Sequence, residues 1–284
     1  PRHGLPGFPE VLRGVRGWWD EHRDQVTEQN AALQGFLADY GREAPLAGEF
    51  TEQPAADALS RALAGFDADH GGHRGAPKFP HAVEVAGLLA QADRGQAAAG
   101  QAAMTTLARM AARGLHDHLA GGFFRYCVDE RWDIPHFEKM LYDNALLLPV
   151  YAAAAVQFDA TRLREAAEGI VAWLQAEMRA DGGGFCSALD ADSEGVEGKF
   201  YLWTREQVAG VLAGDRLRIA NAHYGLDRDA NFEGEAWHLH AARSPGELAS
   251  AFALPEQDVV ALIGQAREQL LATRSRRIRP ARDD

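Results

Sequence analysis

The sequence has few cysteines, an excess of acidic over basic residues, and no long apolar run. Its two cysteines, Cys127 and Cys186 among 284 residues, are too few for a disulfide framework, so a reducing cytoplasm is the simplest expectation. With 29 basic and 41 acidic residues the formal net charge is −12, which disfavours nucleic-acid phosphates and anionic membrane surfaces as partners. No apolar segment approaches the roughly 20 residues of a membrane helix, and no signal-peptide core is recognisable.

Several common catalytic motifs are also missing. The sequence contains no G-x-S-x-G elbow, no P-loop and no dinucleotide-binding glycine fingerprint. The histidines at 70, 73, 116 and 118 do not have the spacing of a zinc site, and the cysteines form no C-x-x-C pair. We therefore expect neither a metal nor a cofactor.

Most of the chain shows helical periodicity. A first helix is expected over residues 9–39, followed by a linker at 41–50. Further helices are expected at 53–66, 80–95, 97–118, 135–158, 160–179, 204–213, 215–223, 244–252 and 256–274. Two short alternating runs, Phe185–Leu189 and Lys199–Trp203, predict a β-hairpin, and residues 236–240 one more strand.

Adjacent glycines followed by an aromatic residue recur three times, as GGHRGAPKF at 71, GGFFRY at 121 and GGGF at 182. At least one helix separates each occurrence from the next. Helices that alternate with loops of the same chemistry predict an α/α array with these loops at one rim. A single glycine pair would indicate no more than a helix C-cap.

The stretch GGFFRYCVDERWDIPHFEKMLYDN, residues 121–144, has the highest density of reactive side chains. Asp133 followed by Pro135 predicts the start of a helix at Pro135. The candidate acid/base residues are His136, Glu138, Tyr142 and Asp143. The candidate substrate contacts are Arg125, Tyr126, Asp129, Trp132 and Lys139. Under the simpler alternative, Lys139 and Asp143 form a surface ion pair beside an ordinary apolar core.

Further candidate substrate contacts lie outside this stretch. Lys78, between two prolines, is either a ligand contact or a surface lysine. Asp190, Asp192, Glu194 and Glu197 resemble half of a calcium loop, but Tyr201 stands where an EF-hand requires a bidentate glutamate. An acidic turn, or carboxylates that accept hydrogen bonds from a polyol, fits better. Tyr201 and Trp203 suit stacking on a sugar, with a role in the hairpin core as the alternative.

Three strings carry a resemblance to a known family: GAPKFP at 75–80, GGFFRYCVDERWDIPHFEKMLYDNA at 121–145 and SALDADSEGVEGKFYLWT at 187–204. With them, the chain resembles the spermatogenesis-associated thioredoxin-domain (YyaL-like) family. The family more often has Phe-Gly at positions 73–74 and serine at positions 127 and 186.

The resemblance implies an architecture. Family members are longer, with a thioredoxin-like domain followed by an (α/α) toroid similar to N-acylglucosamine 2-epimerases and six-hairpin glycosidases. We therefore expect a mainly α chain that is the first half of such a toroid. Residues 1–50 would be a lead-in helix and linker, and residues 51–284 the partial toroid, with a β-hairpin insertion near 183–204.

Three functions remain open at this point. The first is a carbohydrate-binding toroid of the epimerase or isomerase type, in which His136 moves a proton at a carbon next to a carbonyl. The second is a non-catalytic scaffold that serves a thioredoxin-like domain or the missing toroid half. The third is glycoside hydrolysis by paired carboxylates, Asp129 or Glu138 with Asp190. A small-molecule sugar is the expected ligand of the first and third.

Overall fold

The computed structural model describes residues 6–40 and 51–283, which fall into two compact units, Pro1–Glu52 and Gln53–Asp284. In the first unit, α1 spans Phe8–Glu21 and α2 spans Arg23–Tyr40. A break at His22 thus divides the helix expected over residues 9–39, and the backbone N–H of His22 closes α1 by donating to the carbonyl of Trp18. The expected linker at 41–50 lies outside the described residues.

The second unit is built mainly of helices with short strands between them. Its helices are α3 Gln53–Gly65, α4 Ala82–Asp93, α5 Ala97–Ala112, α6 Leu141–Gln157, α7 Thr161–Trp173 with a π-turn at Leu174–Met178, α8 Arg205–Ala209, α9 Gly214–Tyr224, α10 Pro245–Phe252 and α11 Glu256–Arg274. Its strands are β1 Tyr126–Cys127, β2 Pro135–His136, β3 Lys139–Met140, β4 Ala188–Leu189, β5 Asp192–Ser193, β6 Val196–Glu197 and β7 Arg282–Asp283. No helix in residues 6–40 and 51–283 is long and apolar enough to cross a membrane.

The helices of the second unit pack as hairpins in two layers. Short connections join α4 to α5 and α6 to α7, and each of these pairs packs closely. Across hairpins, α5 packs against α3 and α7, while α4 packs against α6. Beyond them, α11 packs against α9 and α10. The α/α array expected from the repeated loops is confirmed.

The three glycine loops follow α3, α5 and α7, so they leave helices of the same layer. Each is closed by one antiparallel bridge, Phe66 to His73, His116 to Phe123 and Arg179 to Phe185. Backbone pairing also joins the loops to one another, because Lys78 bridges Cys127 and β3 pairs with β4. The prediction of a shared rim is confirmed.

A buried ion pair organises the first loop. The Asp67 carboxylate accepts backbone N–H groups two and three residues further on, at 3.0 and 2.9 Å, and Lys78 Nζ donates to its Oδ2 at 2.6 Å. The Lys78 side chain is 1% exposed. Its Nζ also donates to the Glu130 carbonyl and lies 5.4 Å from the centre of the Trp132 ring.

The second loop repeats this arrangement and adds a second cation. Asp117 again accepts the N–H groups two and three residues on, and Lys139 Nζ donates to its Oδ2 at 2.7 Å and to the Gly121 carbonyl at 2.9 Å. Lys139 Nζ lies 5.3 Å from the Trp173 ring centre. Arg274, at the end of α11, donates to both Asp117 oxygens at 2.9 and 2.8 Å. Burial opposes ionisation of Asp117, but Arg274 and Lys139 hold its pKa well below the ordinary value.

The helix predicted to start at Pro135 begins instead at Leu141. Pro135–His136 forms β2, paired with β1, and Lys139–Met140 forms β3, paired with β4. Asp133 does not cap a helix, because its carboxylate accepts from Arg113 Nη2 at 2.9 Å. The alternative of a surface pair between Lys139 and Asp143 is also wrong, since the Lys139 side chain is fully buried against Asp117.

The predicted pairing of Phe185–Leu189 with Lys199–Trp203 is wrong as well. Ala188–Leu189 lies between β3 and β7 in a three-stranded sheet. The tight hairpin is β5 with β6. In the strand expected at 236–240, Ala236 bridges Phe232 and Trp237 bridges Trp203. Alternation indicates extended backbone but does not identify the partner strand.

Replacing Lys139 by Met is expected to destabilise the protein by about 3 kcal/mol. This value is at the lower end of the range for removing one partner of a buried ion pair, because Arg274 still compensates the charge of Asp117. The matched change Lys199→Met removes an exposed pair with Glu194, whose side chains are 48% and 41% exposed, and is expected to cost under about 1 kcal/mol. Urea denaturation of both variants measures the difference. Equal costs would contradict a stabilising role for the buried pair.

Gly121 and Gly183 both have positive φ, +83° and +88°, but their surroundings differ. A Cβ on Gly121 would collide with the backbone carbonyl of Gly169 in α7, whereas nothing lies within 4 Å of a Cβ on Gly183. Gly183→Ala should therefore cost about 1–2 kcal/mol from backbone strain alone, and Gly121→Ala more than about 4 kcal/mol. Similar thermal melts for the two variants would show that the second loop does not pack on α7 as described.

Candidate functional site

Five predicted substrate contacts lie in the interior. They are Lys78, Trp132, Lys139, Tyr201 and Trp203, with side chains or whole residues 2% exposed or less. Trp132 Nε1 donates to the His70 carbonyl at 2.9 Å. Tyr201 is only 2% exposed and its ring stacks on Phe137, so neither face of the ring is open to a sugar. These residues hold the loops in place, and a ligand does not reach them in this conformation.

Asp129 is occupied by the loop backbone. Its carboxylate accepts the N–H groups of Arg131 at 2.7 Å, Asp133 at 3.1 Å and Ile134 at 2.6 Å. A carboxylate that already accepts three backbone bonds stabilises a turn and has little capacity left for hydrolysis. Of the two carboxylate pairs proposed for glycoside hydrolysis, only Glu138 with Asp190 therefore remains.

The acidic residues of the third loop are spread along its surface. Asp190 accepts the N–H of Asp192 at 3.2 Å, and Glu194 pairs with Lys199 at 2.9 Å. Within the described ranges, no three His, Cys, Asp or Glu side chains converge in a way that could hold a metal ion. This loop is an acidic turn.

A different set of predicted residues does come together. They are Arg125, Tyr126, His136, Glu138, Tyr142 and Asp143, and we call them the rim cluster. Extended backbone over residues 135–140 explains their placement, because successive side chains point to opposite faces of a strand. Phe137 and Lys139 are buried, so His136 and Glu138 face outwards. Pairing of β1 with β2 then sets Tyr126 opposite His136.

Arg125 joins the polar groups of the rim cluster. Its Nη1 donates to Glu138 Oε2 at 2.8 Å and its Nη2 to the Tyr142 hydroxyl at 2.9 Å. The hydrogen bond to Glu138 raises the pKa of Arg125. Two of the five N–H donors of this guanidinium are used in this way, which leaves others for a ligand.

Glu197, from β6, completes the cluster, although the sequence indicated it only as one of the carboxylates of the acidic turn. Its Oε1 lies 2.8 Å from His136 Nδ1, and the two residues are 61 positions apart. Since an ionised carboxylate can only accept, this contact places a proton on Nδ1 and leaves Nε2 of a neutral imidazole as an acceptor. His136 Nε2 lies 3.8 Å from Glu138 Oε2. No spacing rule links the two loops, so the sequence carried no signal for this pair.

A cavity of about 430 Å³, which we call the rim cavity, lies between the N-termini of α4 and α6. Its lining includes Phe79, His81, Glu84, Asp143 and Leu146. Asp143 Oδ2 is buried there and has no hydrogen-bond partner among the described residues. Burial raises the pKa of Asp143 to about 6, with Glu138 adding to the shift and Arg125 opposing it. A carboxyl group that titrates near neutrality in a cavity is a candidate acid/base.

Aromatic rings connect this cavity to His136. Phe79 stacks on Tyr126 with 4.6 Å between ring centres, and Tyr126 stacks on His136 at 5.1 Å. Phe79 is 39% exposed and Tyr142 is 47% exposed. The result is an accessible aromatic surface edged by hydroxyl, imidazole and carboxyl groups. Such a surface can bind a molecule with both C–H faces and hydroxyl groups.

His81 is a further residue that the sequence did not single out. It precedes α4 with φ at 45°, a strained conformation for a residue other than glycine. Burial lowers the pKa of His81, with a smaller contribution from His73, whose ring lies 4.8 Å away. His73 in turn contacts Glu84 at 3.0 Å. An imidazole for which the neutral form is favoured therefore lines the same cavity as Asp143.

No protein-family model matches the sequence. The chain is similar to Spermatogenesis-associated protein 20 of Homo sapiens, with 30% identity over 319 aligned residues that cover 100% of this chain and 40% of that protein. The rat protein of the same name is 32% identical over 98% of this chain and 39% of its own length. An uncharacterised protein of Caenorhabditis elegans is 30% identical over 77% of this chain and 31% of its length. The chain spans about two fifths of the length of the first of these relatives.

Solved structures similar to this chain include sugar epimerases. Cellobiose 2-epimerase from Spirochaeta thermophila has 22% identity and a TM-score of 0.41 over 49% of this chain and 40% of that one. Cellobiose 2-epimerase from Bacillus thermoamylovorans has 12% identity and a TM-score of 0.43 over 78% and 70%.

Replacing Asp143 by Asn should stabilise the protein more at pH 8 than at pH 4.5. Because the folded-state pKa is about 6, above the ordinary value, the folded state binds more protons between the two values and wild-type stability falls as the pH rises through that window. Asparagine cannot ionise, so the variant does not lose this stability as the pH rises. Melting temperatures of wild type and variant at the two pH values measure the effect.

Asp215→Asn provides the matched control. Asp215 forms an exposed pair with Arg218, their side chains 61% and 65% exposed, so its replacement should change the melting temperature little at either pH. An Asp143→Asn effect that is the same at both pH values would mean that the Asp143 carboxyl is well solvated.

Proposed function

The chain is a homologue of Spermatogenesis-associated protein 20, and we propose that its rim cluster binds a sugar and catalyses proton transfer of the epimerase or isomerase type. The observation that best supports the proposal is the environment of the Asp143 carboxyl. This half-buried carboxyl, whose Oδ2 has no hydrogen-bond partner among the described residues, has a pKa of about 6 and lines a cavity together with His81, and the Arg125 charge acts on it. Groups poised near neutral pH are what general acid/base catalysis requires.

The sugar would lie against the aromatic surface of Phe79, Tyr126 and Tyr142. Aromatic faces pack on the C–H side of a sugar ring, and the polar groups around them accept and donate to its hydroxyls. The cavity volume of about 430 Å³ lies within the range of small-molecule sites. These features support a sugar-sized ligand.

The proposed reaction removes a proton from the carbon next to a carbonyl and returns one to the same carbon. His136 Nε2, an acceptor, takes that proton, and the Asp143 carboxyl, which is protonated below its pKa of about 6, returns one to the carbon. Exchange with water then resets both groups. The electron pair left on the carbon moves to the carbonyl oxygen, where negative charge develops. Arg125, with N–H donors to spare, supplies a positive charge beside the cavity to stabilise it.

Proton exchange in D₂O tests this mechanism directly. Reducing mono- and disaccharides are incubated with the protein, and proton NMR follows loss of the signal at the carbon next to the carbonyl. We expect exchange with wild type on at least one sugar, and a loss of about 100-fold or more in Asp143→Asn and in His136→Gln. Asp215→Asn should retain wild-type exchange.

Further measurements on the same protein preparations distinguish the remaining functional hypotheses. A sugar that raises the melting temperature without any exchange would favour a non-catalytic binding domain, including one that serves a thioredoxin-like partner. Release of free sugar from aryl glycosides would favour hydrolysis by Glu138 with Asp190. No exchange, no hydrolysis and no thermal shift with any sugar would rule out the carbohydrate proposal for the chain tested.

A further inference from the structure

A second cavity, of about 490 Å³, lies among α7, α9 and α11. It shares no lining residue with the rim cavity. We call it the histidine cavity, after His116, His118 and His223 in its wall. Apolar side chains, among them Val260 and Ile263, form another part of the wall. Its volume is that of a small-molecule site.

Two of these histidines have their tautomers fixed by backbone carbonyls. His118 Nε2 lies 2.9 Å from the Arg113 carbonyl, and His223 Nδ1 lies 2.8 Å from the Arg243 carbonyl. A carbonyl only accepts, so each of these nitrogens carries the proton. Burial lowers the pKa of both imidazoles, which are therefore neutral at pH 7. His118 Nδ1 and His223 Nε2 consequently present lone pairs.

Neither lone pair accepts a hydrogen bond from a described residue. Among the described residues, neither nitrogen is one of the polar atoms that are both fully buried and without a partner. Both atoms thus remain accessible at the cavity. His116 lies behind them with its ring centre 5.0 Å from that of His118, and both its ring nitrogens are buried without a partner. The wall therefore has hydrogen-bonding capacity that the protein itself does not satisfy.

The charged residues of the wall balance one another. They are Arg162, Arg267, Glu165 and Glu168. Arg267 Nε donates to the Leu119 carbonyl, and no ion pair joins these four side chains within the described part of the chain. Two cations and two carboxylates give no preference for an anion or a cation. They still offer donors and acceptors around a neutral ligand.

Accessible imidazole lone pairs also suit a transition metal, but the surroundings do not. No set of three His, Cys, Asp or Glu side chains in residues 6–40 and 51–283 could hold a metal ion. Two neutral imidazole acceptors require a hydrogen-bond donor, and the balanced charge of the wall favours a donor without net charge. Hydroxyl groups on a ring with apolar C–H faces meet both the polar and the apolar parts of the wall.

We propose that the histidine cavity is a second binding site, which takes a neutral, hydroxyl-rich molecule of mono- or disaccharide size. His118 Nδ1 and His223 Nε2 accept hydrogen bonds from its hydroxyls, and Arg162 and Glu165 contact its edge. The site is independent of the proposed activity, because no residue of the rim cluster lines it.

Methyl β-glucoside and methyl β-cellobioside are suitable probes, because they carry no free carbonyl and cannot undergo the reaction proposed for the rim cluster. Isothermal titration measures their affinity for the intact chain. His118→Gln keeps a donor for the Arg113 carbonyl, and His223→Asn keeps one for the Arg243 carbonyl, while each removes the accepting nitrogen. Each variant is expected to weaken binding about tenfold, the loss of one hydrogen bond.

Two controls locate the binding. His238 donates to the Gly114 carbonyl through Nε2 but does not line the histidine cavity, so His238→Gln should bind as wild type does. Asp143→Asn, in the rim cluster, should also retain binding at the histidine cavity. Loss of glycoside binding in Asp143→Asn together with full binding in His118→Gln and His223→Asn would overturn the proposal, whatever the outcome for proton exchange.

A measurement on the unmodified chain covers variants that fail to fold. On saturation with the methyl glycoside, the side-chain ¹⁵N signals of His118 and His223 should shift while those of His238 stay unchanged. Absence of any shift, or no detectable binding of either glycoside, would overturn the proposal. So would a preference for sulfate or Zn²⁺ over the glycosides that is lost in the two histidine variants.

Discussion

The buried carboxylate of Asp117 is the interaction on which the second unit depends. Removing a charge from water costs several kcal/mol unless opposite charges and hydrogen bonds compensate for it. Lys139, 22 positions away, and Arg274, 157 positions away, supply the cations, and two backbone N–H groups supply further bonds. One acceptor thereby fixes the second glycine loop, β3 and the end of α11 relative to one another.

The rim cluster follows from that constraint. Once Lys139 is held inside by Asp117, the alternation of an extended backbone turns Glu138 and His136 outwards. Arg125 then reaches Glu138, and Asp143, in the first turn of α6, lines the rim cavity. Side chains that stabilise the fold therefore alternate along this stretch with side chains of the candidate catalytic site. This alternation explains why the stretch is so rich in polar side chains.

Burial affects protonation differently at Asp117, at Asp143 and in the histidine cavity. Around Asp117, cations outweigh desolvation and keep the carboxylate ionised. At Asp143 desolvation is the larger effect, so that carboxyl titrates near pH 6 and is available for proton transfer. In the histidine cavity, desolvation keeps His118 and His223 neutral and makes them acceptors. The number of compensating charges nearby, more than the depth of burial, decides whether a group stabilises the fold or is free for chemistry.

The sequence by itself determined most of the helices, the α/α arrangement and the shared rim, because helical periodicity and the repeated glycine loops are local patterns. It also located the stretch that contains the rim cluster. Only the tertiary structure decided that Lys78 and Lys139 are buried partners of aspartates, since a lysine between polar neighbours looks the same in sequence whether it pairs inside or lies at the surface. The contact of Glu197 with His136 and the histidine cavity were likewise decided by tertiary structure, because they join segments whose separation no sequence period encodes.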